Sequence, residues 1–154
     1  MRRFTIALAT VLIALAAMSS DSADAHCQVP CGIYDDAARF AAMREDVVSI
    51  RKAMTEIAAQ QTTGTVEAFN QATRWVMEKE RSAADIQDIT SAYFLTQRVK
   101  PTDRGVDGHA PYVAQLEAFH AVLIAAMKCK QQIDPANADA LDAAIDRAAA
   151  AYGG

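Results

Sequence analysis

The chain has 154 residues, 52% hydrophobic and 22% charged, with a formal net charge of −4 at pH 7. That length corresponds to one domain, long enough to bury a modest core. The acidic balance, with no basic stripe along the sequence, argues against a nucleic-acid-binding surface.

The chain opens with Arg2-Arg3, an apolar run from Phe4 to Met18, a polar patch, and Ala23-Asp24-Ala25. A basic start, an apolar centre and a small-x-small site together make a secretory signal peptide. The apolar run is short beside the roughly 20 residues that a membrane span needs. Cleavage after Ala25 is therefore expected: residues 1–25 are a leader, and the protein is exported, periplasmic or extracellular. No stable membrane association is expected after cleavage. An uncleaved anchor is the alternative. Lipidation at Cys27 fits poorly, because Asp24, Ala25 and His26 are too polar for a lipoprotein signal.

Residues 26–34 read His-Cys-Gln-Val-Pro-Cys-Gly-Ile-Tyr. Cleavage before His26 frees an α-amine, whose ordinary pKa is about 7.7–8.0. Cys27 and Cys31 add two thiols, soft donors suited to late transition metals. The amide between His26 and Cys27 lies between the amine and the first sulfur. If it deprotonates, amine, amidate and thiolate form fused chelate rings in one plane, and Cys31 can close the fourth corner. Planar nitrogen and sulfur donors suit Ni(II) or Cu(II) better than tetrahedral zinc. Pro30 limits the loop between the thiols, Gly32 allows a sharp return, and Tyr34 stands just beyond.

Other readings of the two thiols stay open. Export places them where disulfides persist, so Cys27 and Cys31 could simply pair. A redox dithiol usually has two intervening residues, and here there are three. Structural zinc needs four closed ligands. His109 and His120 could contribute, but a loop histidine and an ordinary helix histidine are the simpler readings. Cys129 reads as a small buried apolar residue on a helix.

Asp35-Asp36 offers helix-capping chemistry. Phe40, Met43, Val47, Ile50, Met54 and Ile57 then fall alternately three and four residues apart, the seam of a bundle helix. Gln61-Thr62-Thr63-Gly64 should stop it. From Thr65 to Lys100 there is no glycine or proline. One seam there is Val66, Phe69, Thr73 and Val76; a second is Ile86, Ile89, Tyr93 and Thr96. The register slips near residues 82–85, which predicts one long helix with a local drift, or two shorter helices. Residues 101–110 form a loop, and Pro111 suits a first helical turn. The next seam is Tyr112, Leu116, Phe119, Leu123 and Met127. Asp134-Pro135 opens a last helix with Leu141, Ile145, Ala148 and Tyr152 inward, ended by Gly153-Gly154. The expected fold is all-α: an antiparallel four-helix bundle over residues 35–154, preceded by a metal-binding arm at 26–34.

The pattern His-Cys-x-x-Pro-Cys-Gly-x-Tyr, directly after a leader and before a helical bundle, resembles the nickel hook of the nickel superoxide dismutases. Six of its nine positions are fixed, and all six match here. The resemblance implies disproportionation of superoxide to O2 and H2O2 at one nickel ion per subunit alternating between Ni(II) and Ni(III). By position, His26 would give the amine and an axial imidazole, Cys27 its thiolate and amidate, and Cys31 its thiolate. Tyr34 would line the substrate approach. The family's second tyrosine, near a helix end and before an aromatic, matches Tyr93-Phe94. An acid and an arginine hold the imidazole in the family; Glu45 and Arg81 lie on plausible helices without being fixed in that role. Gln28 departs from the acid often found after the first cysteine, a change that should tune the site without removing a ligand. The resemblance also implies a homohexamer. A non-catalytic exported metal-binding or metal-delivery protein is the alternative, as is a structural bundle with a Cys27–Cys31 disulfide.

Overall fold

A computed structural model describes residues 35–153. Helix α1 spans Asp36–Gln60. It begins because Asp35, in extended backbone, accepts the Ala37 N–H on its carboxylate at 2.8 Å, occupying one of the first-turn donors that have no helical partner. Every residue of the expected seam is buried, from Phe40 through Ile57, with Ala53 added. Gly64 then adopts φ +64°, a left-handed turn that side chains disfavour. Thr65 caps the next helix by accepting the Ala68 N–H at 3.1 Å.

Helix α2 spans Val66–Asp88 and runs without a break into a π-helical segment, Ile89–Arg98. The long element expected there is present, but its inward face differs. Val66, Phe69, Thr73 and Val76 all lie on the outside of the single chain. The buried positions are Ala68, Lys79, Ser82, Ala83 and Ile86. Small side chains let α1 and α2 approach closely, so the larger apolar ones are turned outward. The expected register slip also lies later than residues 82–85, in the π segment. There the backbone bonds reach five residues back, as in Val99 N–H to Phe94 C=O at 2.8 Å. Each wider turn takes in more chain, so the core line passes through Ile86, Thr90, Phe94 and Val99. Ile89 and Tyr93 pack along its edge, and Thr96 is exposed. Phe94 is the centre of the aromatic core, 4.5 Å from Phe40 and 4.8 Å from Phe119 between ring centroids.

Helix α3 spans His109–Gln131. Its seam begins as expected, with Tyr112 and Leu116 packed on the core and Phe119 buried. It then continues through Val122, Ala126 and Cys129, while Met127 is 38% exposed. Ala126 offers little side chain to hold off α4, whose own alanines at 138, 144 and 148 are buried. Cys129 is buried and free, as expected. His109 is the first helical residue rather than a loop residue, and its Nδ1 meets the Thr102 carbonyl at 2.8 Å. His120 is an exposed helix histidine.

Helix α4 spans Pro135–Gly153. Asp134 accepts the Ala136 N–H at 3.0 Å and Pro135 takes the first helical position. The four helices pack in a ring: α1 on α2, α2 on α3, α3 on α4, and α4 back on α1. Cross-links fix their antiparallel sense. Arg44 pairs with Asp146 at 2.8 Å, and Arg51 with Asp139, so α4 descends as α1 rises. Lys79 meets Cys129 and Gln87 meets Leu123, so α2 and α3 also run opposite ways. Lys79 is itself buried, and its ammonium donates to the Cys129 carbonyl at 2.7 Å and the Lys130 carbonyl at 2.5 Å. It thereby caps the open end of α3.

Candidate functional site

The proposed ligands His26, Cys27 and Cys31, and Tyr34 beside them, lie outside the described residues. The structure describes what they are joined to. Asp35 is the cap of α1, so the donor-bearing segment is covalently tied to the end of the bundle where α1 starts. The antiparallel topology brings the C-terminal ends of the π segment and of α4 to the same place.

Four polar side chains meet there. Tyr93 donates its hydroxyl to Asp36 Oδ1 at 2.5 Å. Arg98 donates to Asp36 Oδ2 at 2.6 Å. Tyr152 donates to the same oxygen at 2.8 Å and lies 3.2 Å from Arg98 Nε. Each position follows from local structure. Asp36 is the first residue of α1, Arg98 the last of the π segment, and Tyr152 stands in the final turn of α4. The wider π turns rotate Phe94 into the core and leave Tyr93 on its rim. Arg39, one turn into α1, places its guanidinium 5.9 Å from the centre of the Tyr93 ring, a cation–π arrangement.

The charge states follow from these contacts. Partial burial alone would raise the Asp36 carboxyl, but hydrogen bonds from Tyr93, Arg98 and Tyr152 outweigh it and hold the group below its ordinary value. Burial and the Asp36 hydrogen bond push the Tyr93 phenol up to about 12. Burial and the same carboxylate also raise Tyr152. The hydrogen bond to Asp36 raises Arg98 further into its charged range. The cluster is thus an ionised carboxylate and guanidinium with two neutral phenols.

Tyr93 is the one sequence-derived site residue within the described region, and it lies at the end of the bundle that residues 26–34 adjoin in sequence. Glu45 is exposed on α1. Arg81 is held on its own helix by Glu78 and Asp85, each at 2.6 Å. It lies seventeen residues before Arg98 in sequence, which is about 25 Å along a regular helix. Asp36, Arg98 and Tyr152 carried no site signal in the sequence: Asp36 reads as capping chemistry and Tyr152 as a core position.

Among the described residues, no group of three or more His, Cys, Asp or Glu side chains is placed to hold a metal ion. Burial pushes the Cys129 thiol up to about 11, against the lowering effect of the Lys79 and Arg51 charges nearby, and this disfavours the thiolate that metals bind. The chemistry of the 26–31 segment fits nickel: an imidazole, backbone amide nitrogens and two thiols within six residues.

The family model for nickel-containing superoxide dismutase matches residues 21–153, taking in the 26–34 segment and all four helices. No curated protein and no solved structure matched the chain.

Proposed function

The chain belongs to the nickel-containing superoxide dismutase family, and from that premise we propose that His26, Cys27 and Cys31 hold its metal and that Tyr93 faces the reaction. The protein is a nickel-dependent oxidoreductase: two superoxide ions and two protons become one O2 and one H2O2. Bound nickel supplies the one-electron couple for both half-reactions. The observation that carries the ligand assignment is the family match across the one segment where two thiols and a potential N-terminal amine coincide.

The chain's own residues have separable tasks. Cys27 and Cys31 give anionic sulfur, and His26 gives the amine and imidazole that leader removal exposes. Tyr34 and Tyr93 hold water or product close to the centre. The net charge of −4 gives an anionic substrate no global attraction. Arg39 and Arg98 put two guanidinium groups beside Tyr93, with the Asp36 carboxylate offsetting the charge of Arg98.

Export, and cleavage between Ala25 and His26, belong to the same proposal, because the amine ligand exists only after that cut. A homo-oligomer, with the hexamer implied by the family resemblance, is supported by an apolar face on α2. Val66, Phe69 and Met77 there are 79%, 74% and 67% exposed in the single chain.

The test is to place one alanine before His26 in the mature protein. Every side chain is kept and only the amine moves. Nickel content, the nickel absorption spectrum and superoxide removal should all collapse. A variant that binds one nickel per subunit and turns over at the wild-type rate would overturn the amine assignment.

A further inference from the structure

Helix ends fray unless something holds them. Thr65 and Asp134 cap the starts of α2 and α4 from the adjoining chain. The start of α1 has the same kind of local cap in Asp35, and it has more. The Asp36 carboxylate reaches out of its own helix. Its Oδ2 accepts from Arg98 at 2.6 Å and from Tyr152 at 2.8 Å, partners 62 and 116 positions away in the chain. Arg98 Nε also donates to the Tyr152 oxygen at 3.2 Å, so the two partners brace each other. A lone exposed ion pair would contribute little. Here the carboxylate is 24% exposed and one of its oxygens takes two donors, one of them charged. One turn further along, Phe40 is buried against Phe94 and Tyr152, with ring centroids 4.5 and 6.1 Å away. The first turns of α1 are thus fastened to the π segment and to α4 by a polar clasp above an aromatic floor.

Cys31 stands five residues before Asp36, so their Cα atoms are at most about 18 Å apart. For His26, ten residues before Asp36, the limit is about 36 Å. From this we infer that Asp36, Arg98 and Tyr152 are positioning residues for the nickel ligands: they fix the point at which residues 26–34 leave the bundle, so that less chain has to be ordered when the metal binds. The inference rests on the assignment of His26, Cys27 and Cys31 as ligands and deepens it. Ordering a loose segment at the moment of binding weakens binding. Without the clasp the start of α1 is free to fray. Each residue released there, and ordered again by nickel, should weaken the metal about tenfold.

The test is nickel affinity of the mature protein, stripped of metal and titrated against a competing chelator, with the nickel–thiolate absorption as the signal. Asp36→Asn and Arg98→Gln should each weaken nickel about tenfold. The double variant should be no worse than either single one, because each already opens the same clasp. Arg98→Lys should recover part of the loss, since it keeps the charge. Tyr152→Phe keeps its ring contacts and removes one neutral hydrogen bond, so its loss should be about fivefold. Arg44→Gln is the control. It breaks the Arg44–Asp146 pair between the same two helices, eight residues further along α1, and should leave nickel affinity unchanged. A second readout needs no metal: amide hydrogen exchange over residues 37–43 should quicken in Asp36→Asn while helicity holds.

Faster exchange with wild-type nickel affinity, or an equal loss of affinity in Arg44→Gln, would overturn the positioning role and leave the ligand assignment standing. Exchange that does not move would overturn the clasp itself. A wild-type mature chain that takes up no nickel would instead sink the ligand assignment, and this inference with it.

Discussion

Replacing Lys79 by methionine should destabilise the bundle by about 2 kcal/mol, a balance of two large contributions. The ammonium is 3% exposed and makes three contacts: Cys129 C=O at 2.7 Å, Lys130 C=O at 2.5 Å, and Glu80 at 2.8 Å. Hydrogen bonds to a charged group contribute roughly 1.5–3 kcal/mol each, so the two carbonyl bonds give about 3–6 kcal/mol in gross terms. The same ammonium opposes folding by several kcal/mol, because it leaves water. Methionine removes both effects, keeps most of the side-chain volume, and leaves the last turn of α3 without its cap. The Lys130 carbonyl can turn to water, and the Cys129 carbonyl is shut in. The loss of that buried partner decides the sign. In a domain of this length 2 kcal/mol lowers Tm by about 8 °C. Urea unfolding followed by far-ultraviolet circular dichroism measures the free energy directly. Glu80→Gln should cost less than about 1 kcal/mol, since Glu80 is half in solvent. A Lys79→Met protein as stable as wild type would refute the reasoning, because the carbonyl bonds would then not exceed the cost of burying the charge.

Thr90→Val should stabilise the protein by about 1 kcal/mol, since the hydroxyl is fully buried without a partner and valine has the same shape; thermal melting reads this directly. The Tyr93 phenol, raised from 10.0 to about 12 in the folded chain, binds its proton more tightly folded than unfolded. Its contribution is complete below pH 10 and is lost as pH climbs toward 12, so stability should fall across that window, and by less in Tyr93→Phe. Phe69→Glu places a charge on the exposed α2 face and should shift the protein toward smaller species in light scattering while leaving helicity intact; an unchanged mass would place the subunit contact elsewhere. Removing nickel with a chelator should abolish superoxide removal and leave the helical spectrum in place, because the described core is built from α1 to α4, the π segment and Val99, none of which is a proposed nickel ligand.

The sequence was most legible where one helix carries its own message. The α1 seam, its Asp35 cap and its stop before Gly64 all follow from neighbouring residues. In α2 the same logic picked the wrong face. Val66, Phe69 and Val76 have good spacing and good hydrophobicity, yet the buried positions include Ala68, Ser82 and Ala83 instead. Spacing cannot tell a face buried within a subunit from one left on its surface. The π segment hid Phe94 for another reason: a periodicity of 3.6 points to Tyr93, and only wider turns bring its neighbour inward. The segment proposed to hold the metal was conspicuous because its candidate donors lie within six consecutive residues. The Asp36 cluster was not, because its members span positions 36 to 152 and meet only after four helices have packed.

The depth of Cys129 bears on how this enzyme ages. Its reaction releases hydrogen peroxide, and peroxide attacks thiolates. The Cys129 sulfur is sealed inside the bundle, and burial keeps it protonated. Injury is thereby directed away from Cys129 and toward Cys27 and Cys31, the thiols proposed to hold the metal. A spent subunit should remain a sound helical scaffold with a dead head, so the health of a preparation is read from its rate per nickel rather than from how much folded protein survives.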